Sequence, residues 1–388
     1  MRAPDIRERL NAVEPPERGA AERRAWAVVH TAFGRRATSR RGRQPVVAVA
    51  AALLLVVSVT TIALTPPGAA LADWVQHVLG DAPPTPRTSL GPLPGGGRML
   101  VTAAGQVWVI KPDGSRRAVA RADGATWSPR GRFIATWRGT TLSAVTPDGR
   151  VAWRQTGAGQ VSDASWSPDG YRIAYRRGDA LWVVAGDGSG ARAVDGTARP
   201  VPAVWRPGAA QDLTWVDARG HITVREPDSG RLVWRAARVL AAARRLEWSP
   251  RGKRLAVVNG SRVRIFDLTT SRVSTAGWHD RRVRSVAWSP ATDQIAMIVQ
   301  SHGSDLRSLV LVRGDGRPER RLFTGTRLGE ITWSPSGNQL LVGWPHADQW
   351  LLVPLDTRAR LSAVGGLGRR FGGQPVVRGW CCTSRDQR

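Results

Sequence analysis

From about residue 98 onward, short apolar runs alternate with polar turns. Val107-Trp108-Val109-Ile110 leads into Lys111-Pro112-Asp113-Gly114, and Leu142-Ser143-Ala144-Val145 into Thr146-Pro147-Asp148-Gly149. The same pattern returns at 181–184, 222–225, 263–266, 309–312 and 350–353, seven copies in all. Such runs, bounded by Pro, Asp and Gly, read as strands closed by tight turns, because Pro pre-sets φ at the corner and Gly accepts positive φ without steric cost. A second unit keeps step with the first. In Ser165-Trp166-Ser167-Pro168-Asp169-Gly170, followed by Tyr171-Arg172-Ile173-Ala174-Tyr175, a strand ends in Trp, turns and returns with alternating apolar side chains. Trp127-Ser128-Pro129, Trp248-Ser249-Pro250, Trp288-Ser289-Pro290 and Trp333-Ser334-Pro335 repeat it, and Trp205-Arg206-Pro207-Gly208 is a degenerate copy. The successive tryptophans stand 39, 39, 43, 40 and 45 residues apart. A period near 40 with several short strands per unit predicts a β-propeller, one four-stranded blade per repeat.

The two repeats differ in number, and the difference predicts how the ring closes. The first apolar run has no Trp motif before it, and near the C-terminus Val376-Val377-Arg378-Gly379-Trp380 is a strand with a terminal Trp and no return strand. If that strand is the innermost strand of the first blade, the ring has seven blades and no open sheet edge between first and last. Six blades, with Trp380 outside the ring, is the alternative.

The Trp-Ser-Pro-Asp-Gly pattern with Ile173-Ala174-Tyr175 resembles the TolB-type propeller repeat, a relative of the WD-repeat propellers, over roughly residues 98–380. The resemblance implies a bacterial propeller, but it implies little about function, because such rings serve as binding platforms, assembly subunits and accessory domains of peptidases. TolB-type rings have six blades, so a seventh would be a departure.

Ahead of the repeats the pattern changes twice. Glu17 to Arg36 reads as a helix with Trp26, Val29 and Phe33 on one face and Arg23, Arg24, Arg35 and Arg36 flanking it. It fits an amphipathic helix on an anionic membrane surface, a docking helix for a cytoplasmic partner in the manner of membrane-tethered anti-sigma regulators, or a short solvated helix. Val46 to Leu64 is then free of charge. At helical rise it spans about 29 Å, close to the hydrocarbon thickness of a bilayer. Arg35, Arg36, Arg40, Arg41 and Arg43 crowd its N-terminal side, and the next basic residue is Arg87. This bias predicts a cytoplasmic N-terminus and an extracytoplasmic propeller. Ala70-Leu71-Ala72 offers a cleavage site, but the apolar run is longer than a signal h-region, so an uncleaved single-pass anchor is expected, with secretion after cleavage near Ala72 as the alternative. No Cys lies near residue 72, which excludes a lipoprotein. Trp74 fits an interfacial anchor, and residues 82–97 are a Pro- and Gly-rich linker. The expected organisation is a cytoplasmic Arg-rich segment (1–44), a transmembrane helix (45–65), a juxtamembrane segment and linker (66–97), the propeller (98–382) and a tail (383–388).

Composition then narrows the partners. The net charge is +27, from 57 basic and 30 acidic residues, and every basic residue except Lys111 and Lys253 is Arg. That excess favours anionic surfaces, while the expected topology argues against nucleic acid. The two cysteines, Cys381 and Cys382, are neighbours. They supply no long-range disulfide and could join each other, link two chains or hold a metal.

The motif tryptophans Trp127, Trp166, Trp205, Trp248, Trp288, Trp333 and Trp380 are read as structural, filling the wedges between adjacent sheets. His221, His279, His302 and His346 are spread over different blades, and no metal-binding spacing is present. Gly186-Asp187-Gly188-Ser189-Gly190 has Ser in the wrong place for a nucleophile elbow, and no chain length remains for a separate hydrolase domain. No catalytic residue, metal or cofactor is expected, which leaves a propeller enzyme as a distant alternative. The loops on one face of the ring are no more basic than the rest. Two local clusters stand out as possible contacts to phosphate or carboxylate: Arg281, Arg282 and Arg284 beside Trp278 and His279, and Arg369 and Arg370 beside Phe371. The sequence therefore predicts a membrane-anchored, non-enzymatic platform for a protein or an anionic envelope component. A transmembrane regulator whose residues 1–44 hold a partner such as a sigma factor is the alternative.

Overall fold

The computed structural model describes residues 90–382 except 209–210, 241, 278–280 and 357–360. The proposed membrane span at 46–64, the helix at 17–36 and the tail lie outside the described residues. Among the described residues no helix is long and apolar enough to cross a membrane.

Among the described residues, seven antiparallel four-stranded sheets form the propeller. In chain order the blades comprise residues 98–121 with 376–381, then 124–156, 161–195, 204–235, 245–277, 281–326 and 331–365. In every blade the strand ending in or near the motif Trp is innermost. These innermost strands touch in a cycle that returns from the seventh blade to the first. The seven apolar runs of the sequence are the third strands of their blades.

Closure follows the mismatch of the two repeats. Val376–Cys381 pairs with Arg98–Ala103, setting Trp380 opposite Met99 and Val376 opposite Thr102, with an irregularity between Leu100 and Val101. The first blade is thus made by both ends of the propeller segment, and the six-bladed alternative is excluded.

Burial explains why the ring must close. Seven clusters of buried apolar residues lie in the seven wedges, and each takes side chains from two neighbouring blades. A single blade is flat and about one residue thick, so its two faces are dry only where they meet neighbours. The Ser-Pro turns interlock as well. Gly252 has φ +62°, and a Cβ there would stand 2.0 Å from the Pro207 carbonyl oxygen of the preceding blade. A side chain would push the two turns apart.

Antiparallel connectivity assigns each loop to a face. The Ser-Pro turns and the hairpins joining third to fourth strands form one face, here the turn face. Loops entering the innermost strands and those joining second to third strands form the other, the mouth face.

Candidate functional site

The motif tryptophans lie at the inner ends of the wedges. Trp127, Trp166, Trp205, Trp248, Trp288, Trp333 and Trp380 are all at least nine-tenths buried. Most of their indole N–H groups clasp a neighbouring segment. Trp205 donates to the Ser165 carbonyl (3.0 Å), Trp288 to the Glu247 carbonyl (3.2 Å) and Trp333 to the Ala287 carbonyl (2.9 Å), each the residue before the preceding blade's Trp. Trp248 donates to Thr214 Oγ1 (2.9 Å), and Trp380 to the Gly96 carbonyl (2.7 Å). Arg98 lies over the Trp127 ring at 5.1 Å.

The serine after each Trp also has a role that sequence reasoning left unassigned. Ser128, Ser167, Ser249 and Ser334 accept, at Oγ, the backbone N–H five residues on, from Phe133 (2.9 Å), Arg172 (2.9 Å), Arg254 (3.0 Å) and Gln339 (3.1 Å). Ser289 accepts from Thr292 instead (3.1 Å). The Trp-Ser-Pro triplet is therefore a packing and turn element.

The two arginine clusters fall on one face. Arg281, Arg282 and Arg284 open the innermost strand of the sixth blade, Arg281–Trp288, at its mouth-face end. Trp278 and His279 lie outside the described residues. Arg284 donates from Nε to Gln300 Oε1 (2.6 Å). Two further arginines join it. Arg307, at the start of the third strand, donates to the Leu328 carbonyl (2.5 Å), and Arg327 pairs with Asp305 (2.8 Å). Burial lowers the pKa of Arg307, and the positive charges of Arg284 and Arg327 add to the shift against Asp305. Arg307 is therefore incompletely compensated, and an oxyanion beside it would be drawn in. Sequence order hid Arg307 and Arg327, because a strand and two loops of one blade bring them beside Arg284.

Arg369 and Arg370 sit on a five-residue helix, Leu367–Phe371, in the segment that returns the chain to the closing strand. Arg369 is exposed, while Arg370 donates to the Gly365 carbonyl (3.3 Å). The expected aromatic partner is not free for a ligand. Phe371 is 2 % exposed and packs edge-on to Trp108 (5.7 Å) and tilted to Trp350 (5.5 Å), filling the wedge between the seventh and first blades.

Cys381 and Cys382 are bonded to each other at the end of the closing strand. Cys382 Sγ lies 3.4 Å from the Pro129 carbonyl, against the second blade's Ser-Pro turn. Of the carboxylates on the turn face, Asp113, Asp187 and Asp267 each accept from a Ser or Thr hydroxyl two residues on, which lowers their pKa. They are turn-forming groups.

No protein-family model and no curated protein matches this chain. Among solved structures it is similar to the Kuenenia stuttgartiensis hydrazine synthase, at 15% identity over 60% of this chain and 76% of that one, with a TM-score of 0.50. It is also similar to Kluyvelomyces marxianus Hsv2, at 13% identity over 69% of this chain and 93% of that one, with a TM-score of 0.49. At such identities the likeness is one of fold alone: the chain is a seven-bladed β-propeller.

Proposed function

We propose that this chain is a membrane-tethered, non-enzymatic propeller that holds an envelope protein or anionic envelope component against its mouth face. The observation that carries the reading is that both arginine clusters, far apart in sequence, open onto that one face, with the pKa of Arg307 lowered by burial and by the charges of Arg284 and Arg327. The uncharged run Val46 to Leu64, with arginines crowding one side, supports a single-pass anchor and an extracytoplasmic ring. The TolB-type character of the Trp-Ser-Pro repeat fits a bacterial envelope platform.

Two experiments test this reading. Protease added to spheroplasts should digest the propeller and spare the N-terminal tail; a soluble fragment starting at Asp73 would show that the anchor is cleaved. Capture from membranes should recover the same partner with the whole chain and with a chain lacking residues 1–34, and lose it with Arg281→Gln, Arg282→Gln and Arg284→Gln combined. The stripe of Trp26, Val29 and Phe33 favours a second reading, a regulator holding a cytoplasmic protein. Loss of the partner on deleting residues 1–34 alone would select it.

A further inference from the structure

The wedge between the first and second blades departs from the other six at equivalent positions. In each blade one residue of the second strand pairs directly with the motif Trp, and the residue two further on pairs with the third strand in the outer part of the wedge. Those outer pairs are Val101 with Trp108, Tyr175 with Trp182, Trp215 with Thr223, Val257 with Arg264, Met297 with Val310 and Val342 with Leu351. Each contains at least one apolar side chain, and all but the Val257–Arg264 pair contain one larger than valine. In the second blade the pair is Thr136 with Ser143.

Small hydroxyl residues where neighbours carry aromatics leave space. A cleft of about 400 Å³ opens there, walled by Val119 and Val145. Thr136 and Ser143 are 5 % and 7 % exposed, and neither hydroxyl has a protein hydrogen-bond partner among the described residues. Arg121, Arg138 and Arg154 also line the cleft, with no acidic residue in its wall. None of the three guanidiniums is paired within the described residues. Asp123, next in the chain to the lining residue Ala122, accepts the Gly139 N–H (2.9 Å). In the third blade Arg177, the counterpart of Arg138, lies instead over Tyr175 (5.4 Å) and Trp182 (5.3 Å), closing its wedge.

We propose that the cleft between the first and second blades is a binding site for a small ligand carrying an oxyanion on a hydroxylated body, such as a sugar phosphate or an acidic sugar. The three guanidiniums supply forked donors for phosphate or carboxylate, and the two floor hydroxyls donate to or accept from the polyol. The volume lies in the range of small-molecule pockets. The site goes beyond the platform reading and does not use Arg281, Arg282 or Arg284, which lie in the sixth blade.

Isothermal titration of the whole 388-residue chain with glucose 6-phosphate, glucuronate and glucose tests it. Saturable binding of one or both anionic probes, without binding of glucose, is expected, and the stronger probe identifies the oxyanion. Arg138→Gln with Arg154→Gln should weaken it at least about tenfold, the usual effect of losing a charge-assisted hydrogen bond. Ser143→Trp, which gives the second blade the residue of the third, should abolish binding without lowering the melting temperature. Arg281→Gln, Arg282→Gln and Arg284→Gln combined should leave binding unchanged. Absence of binding by both anions, equal binding of glucose, or affinity that survives the Arg138 and Arg154 substitutions would overturn the site. Loss in the triple variant alone would move the ligand to the sixth blade's arginines and leave the platform reading standing.

Discussion

The wedge between the second and third blades and the wedge between the first and second are built on the same backbone register and finished in opposite ways. In the former, Tyr175 is fully buried, Trp182 lies beside it with ring centroids 6.5 Å apart, and Arg177 covers both. In the latter, Thr136 and Ser143 occupy the same places and the space stays open. Nearer the axis the two are alike, each with a buried Trp, Trp166 and Trp127. A propeller must therefore pack the inner wedge to hold its blades, but the outer wedge is free to carry either a core or a cleft. The motif marks the part that cannot vary.

That contrast presumes a sealed ring, so the largest effect comes from opening it. Truncation after Gly365 removes the closing strand with its Trp380, and Leu367 and Phe371 with it, exposing faces of the first and seventh blades together. The isolated truncated propeller is expected to melt roughly 10 °C or more below the parent and to aggregate, because an unpaired edge and two apolar faces meet water at once. A truncation as stable as the parent, followed by circular dichroism, would show that the wedges hold without the seal.

Next in size is conversion of the packed wedge into a copy of the open one. Tyr175→Thr with Trp182→Ser removes two aromatic bodies and the platform of Arg177, and is expected to cost about 3–5 kcal/mol in chemical denaturation. Trp166→Ala, deeper in the same wedge, should cost a similar amount. A loss below about 1 kcal/mol would mean that the outer wedge of the third blade contributes as little packing as that of the second.

The wedge between the fifth and sixth blades sharpens the comparison through pH. Glu247, on the fifth blade's innermost strand, accepts the Trp288 backbone N–H (2.8 Å) and lies 3.3 Å from Arg245 Nε. Its side chain keeps 23 % of its exposure, yet protein surrounds the carboxyl closely enough that desolvation outweighs Arg245 and raises its pKa above 4.5. The folded state then holds a proton that the unfolded chain releases. This contribution is present below the unfolded pKa and is lost as pH rises through the folded one. Glu226 has the opposite sign. Hydrogen bonds from Ser229 and Asp228 hold it down at about 2, so its contribution is present above the unfolded value and is lost as pH falls toward 2. Glu247→Gln keeps an acceptor for Trp288 and should flatten the fall in melting temperature above pH 4.5, leaving the acid limb unchanged. An unaltered profile would mean that the wedge holds Glu247 charged at no cost.

Much of the fold was legible in the sequence for a simple physical reason: a blade cannot bury itself, so each repeat must carry the same Trp and the same turn. The period counted the blades, and the unpaired Val376 to Trp380 strand predicted its own partner. The site was less legible. Arg284, Arg307 and Arg327 meet only through strand pairing, and Phe371 reads as exposed beside two arginines until the helix at Leu367–Phe371 turns it into the wedge. The cleft was invisible because Thr136 and Ser143 are ordinary strand residues. Only their register opposite each other, set against Tyr175 and Trp182, marks them as a gap.

The smallest predicted effect tests whether that gap is wet or merely ill-packed. Thr136→Val keeps the shape of the side chain and removes its hydroxyl. If the hydroxyl were sealed in an apolar wedge without a partner, its removal would relieve a desolvation penalty and stabilise the propeller by about 1–3 kcal/mol. In an open cleft, water or a ligand satisfies the group, and nothing is relieved. The cleft is open and lined by three arginines, so the change in unfolding free energy is expected to stay within about 0.5 kcal/mol. The equivalent change in a dry wedge, Val257→Thr in the fifth blade, buries a hydroxyl at a position with no exposure and should cost about 1–3 kcal/mol. Equal effects at the two sites would erase the distinction between packed wedge and cleft.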